Sequence, residues 1–268
     1  MSGAPERGSA GAALYDRVAG IIARLPERRP VLDIPAGTGP LAGRLAAHGI
    51  RVVAADLNPL GLAIPGIVWV GANMEGGLPF ADGAFDVVAS LEGIEHLSAP
   101  FGFLGECARV LRPGGRLILS TPNIHKLTSR VKFLLAGLVN GLARPLDEGH
   151  RGPPFGHISL LSYYQLRYLL RASGFRLRAL ASSHRKATDR ALGFLVPAIY
   201  GYTRLALARE RDPRQQEANA EICRHMLSGH VLYSKHLILV AERDPPSDGV
   251  VRNTPGSDAP PRPQWPPR

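Results

Sequence analysis

Leu14, Val18, Ile21, Ile22 and Leu25 recur at helical spacing, and Pro26 and Pro30 close that segment before the apolar run Val31-Leu32-Asp33-Ile34. So short a run, with prolines before it and Gly37-Thr38-Gly39 after it, predicts a buried strand. A second helical stretch follows through His48. Strands are then expected at Arg51 to Ala55, ending at Asp56, at Ile67 to Val70, and at Phe85 to Ala89, the last followed by a helix that ends near Leu111. Arg112-Pro113-Gly114-Gly115 predicts a turn, because proline presets one backbone angle and glycine supplies a positive one, and Arg116 to Thr121 is the fifth strand. The rhythm then breaks for about forty residues and resumes with a helix at Ser162 to Ser173, a strand near Phe175 to Ala181 and a last strand at Lys235 to Glu242.

Strands alternating with helices imply parallel pairing through right-handed crossovers, hence an α/β protein with a doubly wound, mostly parallel sheet of seven strands. Residues 14–243 are expected to form this domain, with helical lid insertions at about 122–160 and 183–234. Residues 1–13 are small and polar without an apolar centre and read as a disordered leader; residues 244–268 are proline-rich with few core-forming side chains and read as a disordered tail. A length of 268 residues with 45% hydrophobic residues suits one elaborated domain rather than two. The formal charge of +10 would attract nucleic acid, anionic lipid or acidic metabolites, although arginine-rich chains are also basic without such partners. Cys107 and Cys223 match no metal-ligand spacing and would make a poor disulfide framework, so a cytoplasmic setting is expected. Val131 to Val139 and Ala191 to Tyr202 are the most apolar stretches, and both fall short of the roughly 18 to 20 residues a spanning helix needs.

The glycine turn is where chemistry enters. A glycine-rich link from strand to helix lets the backbone approach a ligand closely, and an acid at the end of the next strand can accept both hydroxyls of a ribose. Gly37 and Gly39 form that turn and Asp56 is the acid. The segment Gly37-Thr38-Gly39-Pro40-Leu41-Ala42 also fits a dinucleotide fingerprint, which leaves an NAD-dependent oxidoreductase as an alternative at this point.

Features outside the turn bear on that choice. Val31-Leu32-Asp33-Ile34-Pro35-Ala36-Gly37-Thr38-Gly39, then Leu78-Pro79-Phe80 before Phe85-Asp86-Val87-Val88, then Leu111-Arg112-Pro113-Gly114-Gly115-Arg116-Leu117 preceding Ser120-Thr121-Pro122-Asn123, resemble in order the signatures of class I S-adenosylmethionine-dependent methyltransferases. The resemblance covers most of residues 31–182 and is closest to the group holding ubiquinone-pathway O-methyltransferases and small-RNA 3′-terminal methyltransferases. It implies a Rossmann-like methyltransferase fold with S-adenosylmethionine as donor. Asp33, Ala36, Gly37 and Gly39 would surround the methionine part, Asp56 with Leu57 would hold the ribose, and Asn73 and Met74 would flank the adenine. Pro35 stands where the family usually has its first glycine.

After the fourth strand comes Glu92-Gly93-Ile94-Glu95-His96. On a helix, Glu92, Glu95 and His96 would share one face, and oxygen-rich coordination of that kind suits Mg2+ or Mn2+. Metal-dependent members of the resembled group use such a segment with a later histidine, so the resemblance offers Glu92, Glu95, His96 and His157 as metal ligands, the cation lowering the pKa of an acceptor hydroxyl. Two other readings stay open: His96 or His157 acts as a general base without metal, Glu95 assisting, or the segment is structural. His150, His225 and His230 read as surface or packing residues. Lys126 to Arg144 sets Lys126, Arg130, Lys132 and Arg144 among apolar residues, either as a basic helix lying on the inner membrane face or as a lid; Ala191 to Ala208, interrupted by Pro197, reads as a second lid piece. The expected activity is methyl transfer to oxygen of a small hydroxylated or hydrophobic molecule. RNA is a second acceptor, although no RNA-binding module is visible, and a non-catalytic donor-binding protein is a further alternative.

Overall fold

A computed structural model describes residues 10–26, 30–58, 64–142, 145–150, 156–184 and 187–245. Strands β1 (Val31–Asp33), β2 (Val52–Asp56), β3 (Val68–Gly71), β4 (Phe85–Leu91), β5 (Leu111–Pro122), β6 (Phe175–Ser182) and β7 (His236–Arg243) make one sheet in the order β3-β2-β1-β4-β5-β7-β6. Pairing is parallel except where β7 lies antiparallel between β5 and β6. The order reverses between β1 and β4, and at such a switch point a crevice opens at the carboxyl ends of the strands.

Central strands read as unbroken apolar runs because both faces are covered. Neighbours on one strand point to opposite layers: Leu32, Val88 and Leu117 face the layer holding α3 (Pro100–Val110) and α5 (Tyr163–Ala172), while Val31, Val87 and Ile118 face α1 (Ala10–Ile22) and α2 (Pro40–Ala47). α5 begins with Ser162 and Gln165 satisfying each other's backbone N–H groups.

Several expectations shift. α1 starts at Ala10, so the stretch read as a leader is partly helical; residues 1–9 and 246–268 lie outside the described residues. Arg112 to Gly115 belongs to β5 rather than to a free turn: Leu111 already pairs with Phe85, the register slips before Val87, and Gly114 takes φ 75° at the irregularity. The insertion after β5 contains α4 (Leu127–Ala136). The insertion after β6 contains α6 (Ala187–Ala191), a 3-10 turn (Leu192–Leu195), α7 (Val196–Leu207), α8 (Pro213–Met226) and α9 (Gly229–Tyr233). Pro197 sits in the first turn of α7 and starts that helix instead of interrupting it.

The basic helix also differs from its expectation. Lys126 is buried with its Nζ 3.6 Å from Asp189 Oδ2, and Thr128 donates to Asp189 Oδ1 from its backbone N (2.9 Å) and its hydroxyl (2.7 Å). Arg130 Nε turns back to His125 O at 2.7 Å, and Arg144 lies outside the described residues. Of the four cations expected there, only Lys132 is seen exposed. No helix among the described residues is long and apolar enough to cross a membrane.

Candidate active site

β1 delivers Asp33 to the crevice, and the chain then turns through a cis Ile34–Pro35 peptide and two left-handed glycines, Gly37 (φ 54°) and Gly39 (φ 82°), into α2. Only glycine adopts such angles readily. A side chain at Gly39 would also come within 3.0 Å of the Trp69 ring, whereas one at Gly37 would meet no atom of the described residues within 4 Å. The space above Gly37 is therefore open to a ligand.

Asp56, at the end of β2, accepts from Gly37 N at 2.8 Å through Oδ2 and from Asn58 N at 3.2 Å through Oδ1. Each carboxylate oxygen keeps a second lone pair, so ribose hydroxyls can be received without breaking the loop's anchor. The neighbouring Leu57 is exposed. Ala36 is buried and bonded through its N–H to Ala55 O. Past β3, Asn73 is exposed and Met74 half-buried.

Pro35 explains itself through packing. A Cβ at Gly93 would lie 2.5 Å from Pro35 Cδ and 3.2 Å from Met74 Cε. The loops after β1, β3 and β4 thus meet at one point, with the ring of Pro35 occupying the space that glycine at 93 leaves free.

Asp33 is buried, and its Oδ2 has no hydrogen-bond partner among the described residues. Burial pushes its pKa up to about 8, with the Asp56 charge adding to the rise against a backbone hydrogen bond from Ala42. Glu92 and Glu95 are raised as well, both chiefly by burial, and Glu95 also by the charge on Glu92. Burial and the same two acids, Asp33 and Glu92, raise the Tyr15 hydroxyl of α1. These are four acidic groups around a crevice, an environment that favours a cation.

The Glu-x-x-Glu-His segment is not the helix its spacing suggests. Ile94–His96 is a single 3-10 turn, and Glu92 precedes it with φ 52°, a conformation that non-glycine residues hold only under constraint. Its backbone N–H is held by Ser120, whose hydroxyl donates to Glu92 Oε1 at 2.9 Å, and its Oε2 lies 3.7 Å from His236 Nε2. Glu95, His96 and His157 gather instead, with one ligand atom from each within 4.8 Å of the others. Glu92 stands outside that group. The four-residue set is corrected to three, which replaces an oxygen-rich set by two imidazoles and one carboxylate, a donor set that suits manganese, iron or zinc better than magnesium.

Backbone carbonyls fix both imidazoles. His96 Nδ1 lies 2.9 Å from Gly156 O, and His157 Nδ1 lies 2.6 Å from Gly141 O. A carbonyl only accepts, so each Nδ1 carries the hydrogen, and the lone pair of a neutral ring is on Nε2. Burial lowers the pKa of His96, which keeps it neutral at pH 7. Gly141 (φ 96°) permits the close approach, since a Cβ there would lie 3.1 Å from His157 Nδ1. Thr121 Oγ1 donates to Glu95 Oε2 at 3.3 Å, while the buried Glu95 Oε1 has no partner among the described residues. Ser159 ties its own segment to the 3-10 turn through Glu95 O and Leu97 O. The supporting residues Tyr15, Ser120, Thr121, Gly141 and Ser159 went unassigned in the sequence; only the Ser120-Thr121 pair at the end of the fifth strand gave a signal. A separate cavity of about 780 Å³, between α5, α8 and the start of β6, is lined by none of the donor or cluster residues.

Residues 32–119 match the model of a methyltransferase domain. Over 126 residues, 44% of this chain and 52% of the relative, it is 37% identical to a demethylmenaquinone methyltransferase of Beutenbergia cavernae. Over 164 residues, 54% of this chain and 64% of the relative, it is 36% identical to a demethylmenaquinone methyltransferase of Clavibacter sepedonicus. A ubiquinone/menaquinone biosynthesis C-methyltransferase of Hahella chejuensis is 33% identical over 45% of this chain and 56% of its own length. The chain thus spans roughly half to two thirds of these curated relatives. Among solved structures, a SAM-dependent methyltransferase of Archaeoglobus fulgidus superposes with a TM-score of 0.53 at 18% identity, covering 88% of this chain and 96% of that one. The [4+2]-cyclase SpnF superposes with a TM-score of 0.50 at 21% identity, covering 85% of this chain and 80% of that one. The chain therefore shares its fold both with methyltransferases and with a protein named for another reaction, and its residues must carry the functional argument.

Proposed function

We propose that this chain transfers the methyl group of S-adenosylmethionine to a small hydroxylated acceptor, with Asp33, Ala36, Gly37, Gly39, Asp56, Leu57, Asn73 and Met74 forming the donor site. The observation that carries the reading is the junction of Pro35, Met74 and Gly93, which sets the donor loops directly against the segment bearing Glu95 and His96. The sulfonium is its own leaving group, so the protein's tasks are alignment of nucleophile, methyl and sulfur, which can contribute about 7 to 11 kcal/mol, and removal of the acceptor's proton. Buried acids at Asp33 and Glu92 favour the cationic donor. His96 or His157, each with a free Nε2 lone pair, takes the hydroxyl proton as methyl transfer proceeds. The acceptor atom is then the oxygen left behind.

The relatives' names favour a second reading, in which the same deprotonation makes a ring carbon beside the hydroxyl the nucleophile. The unpartnered Glu95 Oε1 also favours a cation between Glu95, His96 and His157, which would supply Lewis acidity toward the hydroxyl.

The test is transfer of labelled methyl from S-adenosylmethionine into hydroxylated acceptors, with carbon and oxygen products distinguished by NMR. His96→Gln and His157→Gln are expected to lower kcat about a hundredfold or more while leaving donor affinity near wild type. Unchanged turnover in both would remove the histidines from the mechanism, and loss of label on chelation with recovery on adding metal would select the cation reading.

A further inference from the structure

α5 carries two kinds of face. Tyr163, Leu166 and Leu170 are buried in the core, whereas Tyr164, Arg167, Tyr168 and Arg171, spaced i, i+3, i+4 and i+7, run along an adjoining side. That side is one wall of the cavity of about 780 Å³; α8 is the other wall, and the start of β6 closes one end.

The cavity stands apart from the crevice. β6 is the edge strand, three places from β4 in the sheet. Phe175 pairs with Arg243 beside Arg116, where β5 begins to pair with β7, while the donor loops leave from the opposite, carboxyl ends of the strands. A ligand held here is therefore not the one the crevice takes.

Its lining selects a class of ligand. Phe175 and Ile222 are buried and Leu207 half-buried, which gives the cavity an apolar part, and Tyr164 and Tyr168, 41% and 73% exposed, offer rings to a flat body. Arg167 is committed to Glu221. Arg171 and Arg176 share the carboxylate of Asp244 at 3.1 and 3.4 Å, and Arg214 makes no ion pair among the described residues. Three guanidiniums thus have one carboxylate among them in ion-pair reach, and Glu217 is the one further acid in the lining. Arginine forks match the oxygens of a phosphate, and a phosphate monoester, at about −1.5 to −2 charges, answers that excess. Volume favours a small molecule over a polymer, since ligand pockets run to roughly 300 to 1,000 Å³. A second copy of the chain would set arginine against arginine.

We propose that the cavity between α5 and α8 binds a small organic phosphate, an aromatic body carrying a phosphate monoester, with Arg171, Arg176 and Arg214 on the phosphate and Tyr164 and Tyr168 on the body. The proposal stands independently of methyl transfer, and its test needs no turnover. Naphthyl phosphate is titrated calorimetrically into the full chain, beside naphthol, which lacks the charge, and inorganic phosphate, which lacks the body. Saturation is expected below about 1 mM, with each comparison compound at least about tenfold weaker. Arg214→Glu is expected to weaken binding about tenfold or more and Tyr168→Ala about threefold to tenfold, both with wild-type thermal midpoints because both side chains are exposed. Arg24→Glu, which changes an exposed arginine beyond α1, and Asp56→Ala, which changes the crevice, are expected to leave binding within about twofold of wild type. The proposal is overturned if naphthyl phosphate does not bind at such concentrations, if naphthol or inorganic phosphate binds as tightly, if Arg214→Glu and Tyr168→Ala bind like wild type, or if Asp56→Ala abolishes binding, which would put the probe in the crevice.

Discussion

Asp33 carries a carboxyl in a place water does not reach, and its pKa of about 8 fixes the sign of two effects. The unfolded chain ionises this group near pH 4, so between about pH 4 and 8 the folded protein binds the extra proton and stability falls as pH rises. Asp33→Asn is expected to flatten that slope and raise the ligand-free Tm at pH 8, by about 2 to 4 °C for each kcal/mol regained, in melts run from pH 5 to 8. In the proposed donor site the same variant should weaken donor binding at pH 8, because it removes a negative charge that would offset the sulfonium. Wild-type donor affinity should rise from pH 6 to 8 as Asp33 ionises, and in Asp33→Asn this component should vanish. A Tm profile identical in both proteins would remove the buried acid from the account.

Elements position these residues through a few close contacts. Gly93→Ala would push a methyl group into Pro35, and overpacking of that kind costs about 1 to 3 kcal/mol. Melting should show the loss together with weaker donor binding, since the loop proposed to hold the donor must move. Gly20→Ala is the matched control: it lies inside α1 with open space around it, and should stabilise by about 0.5 to 1 kcal/mol. Asp189→Asn removes the carboxylate that faces the buried Lys126, and breaking a buried pair costs about 3 to 5 kcal/mol. Hydrogen exchange should then rise across α4 and α6 ahead of the sheet; uniform protection would show that the pair does not anchor α4 to α6.

Across the whole molecule, what the sequence disclosed follows the range of the forces involved. The alternation of strands and helices and the glycine loop were legible because strand periodicity and glycine turns are local signals, and Gly37 and Asp56 come together beside the switch point. Whether the Glu-x-x-Glu-His segment would be helical was not legible, because spacing does not reveal that Ser120 and His236, about 30 and 140 residues away, draw Glu92 toward β5 and β7. Lys126 looked like a surface cation because its partner Asp189 belongs to another insertion. His157 was selected by resemblance, while the carbonyls that orient it and His96 come from glycines no pattern marks. The carboxyl-edge crevice unites these pieces, and the central claim is that it binds S-adenosylmethionine through Asp56. Calorimetric titration of S-adenosylhomocysteine and of NAD into wild type and Asp56→Ala tests it most directly. The account predicts binding of the first ligand and not the second, with affinity at least about tenfold lower in Asp56→Ala, as loss of charge-assisted hydrogen bonds worth about 1.5 to 3 kcal/mol each requires. Near-normal affinity in the variant, or binding of NAD in place of the homocysteine ligand, would contradict it.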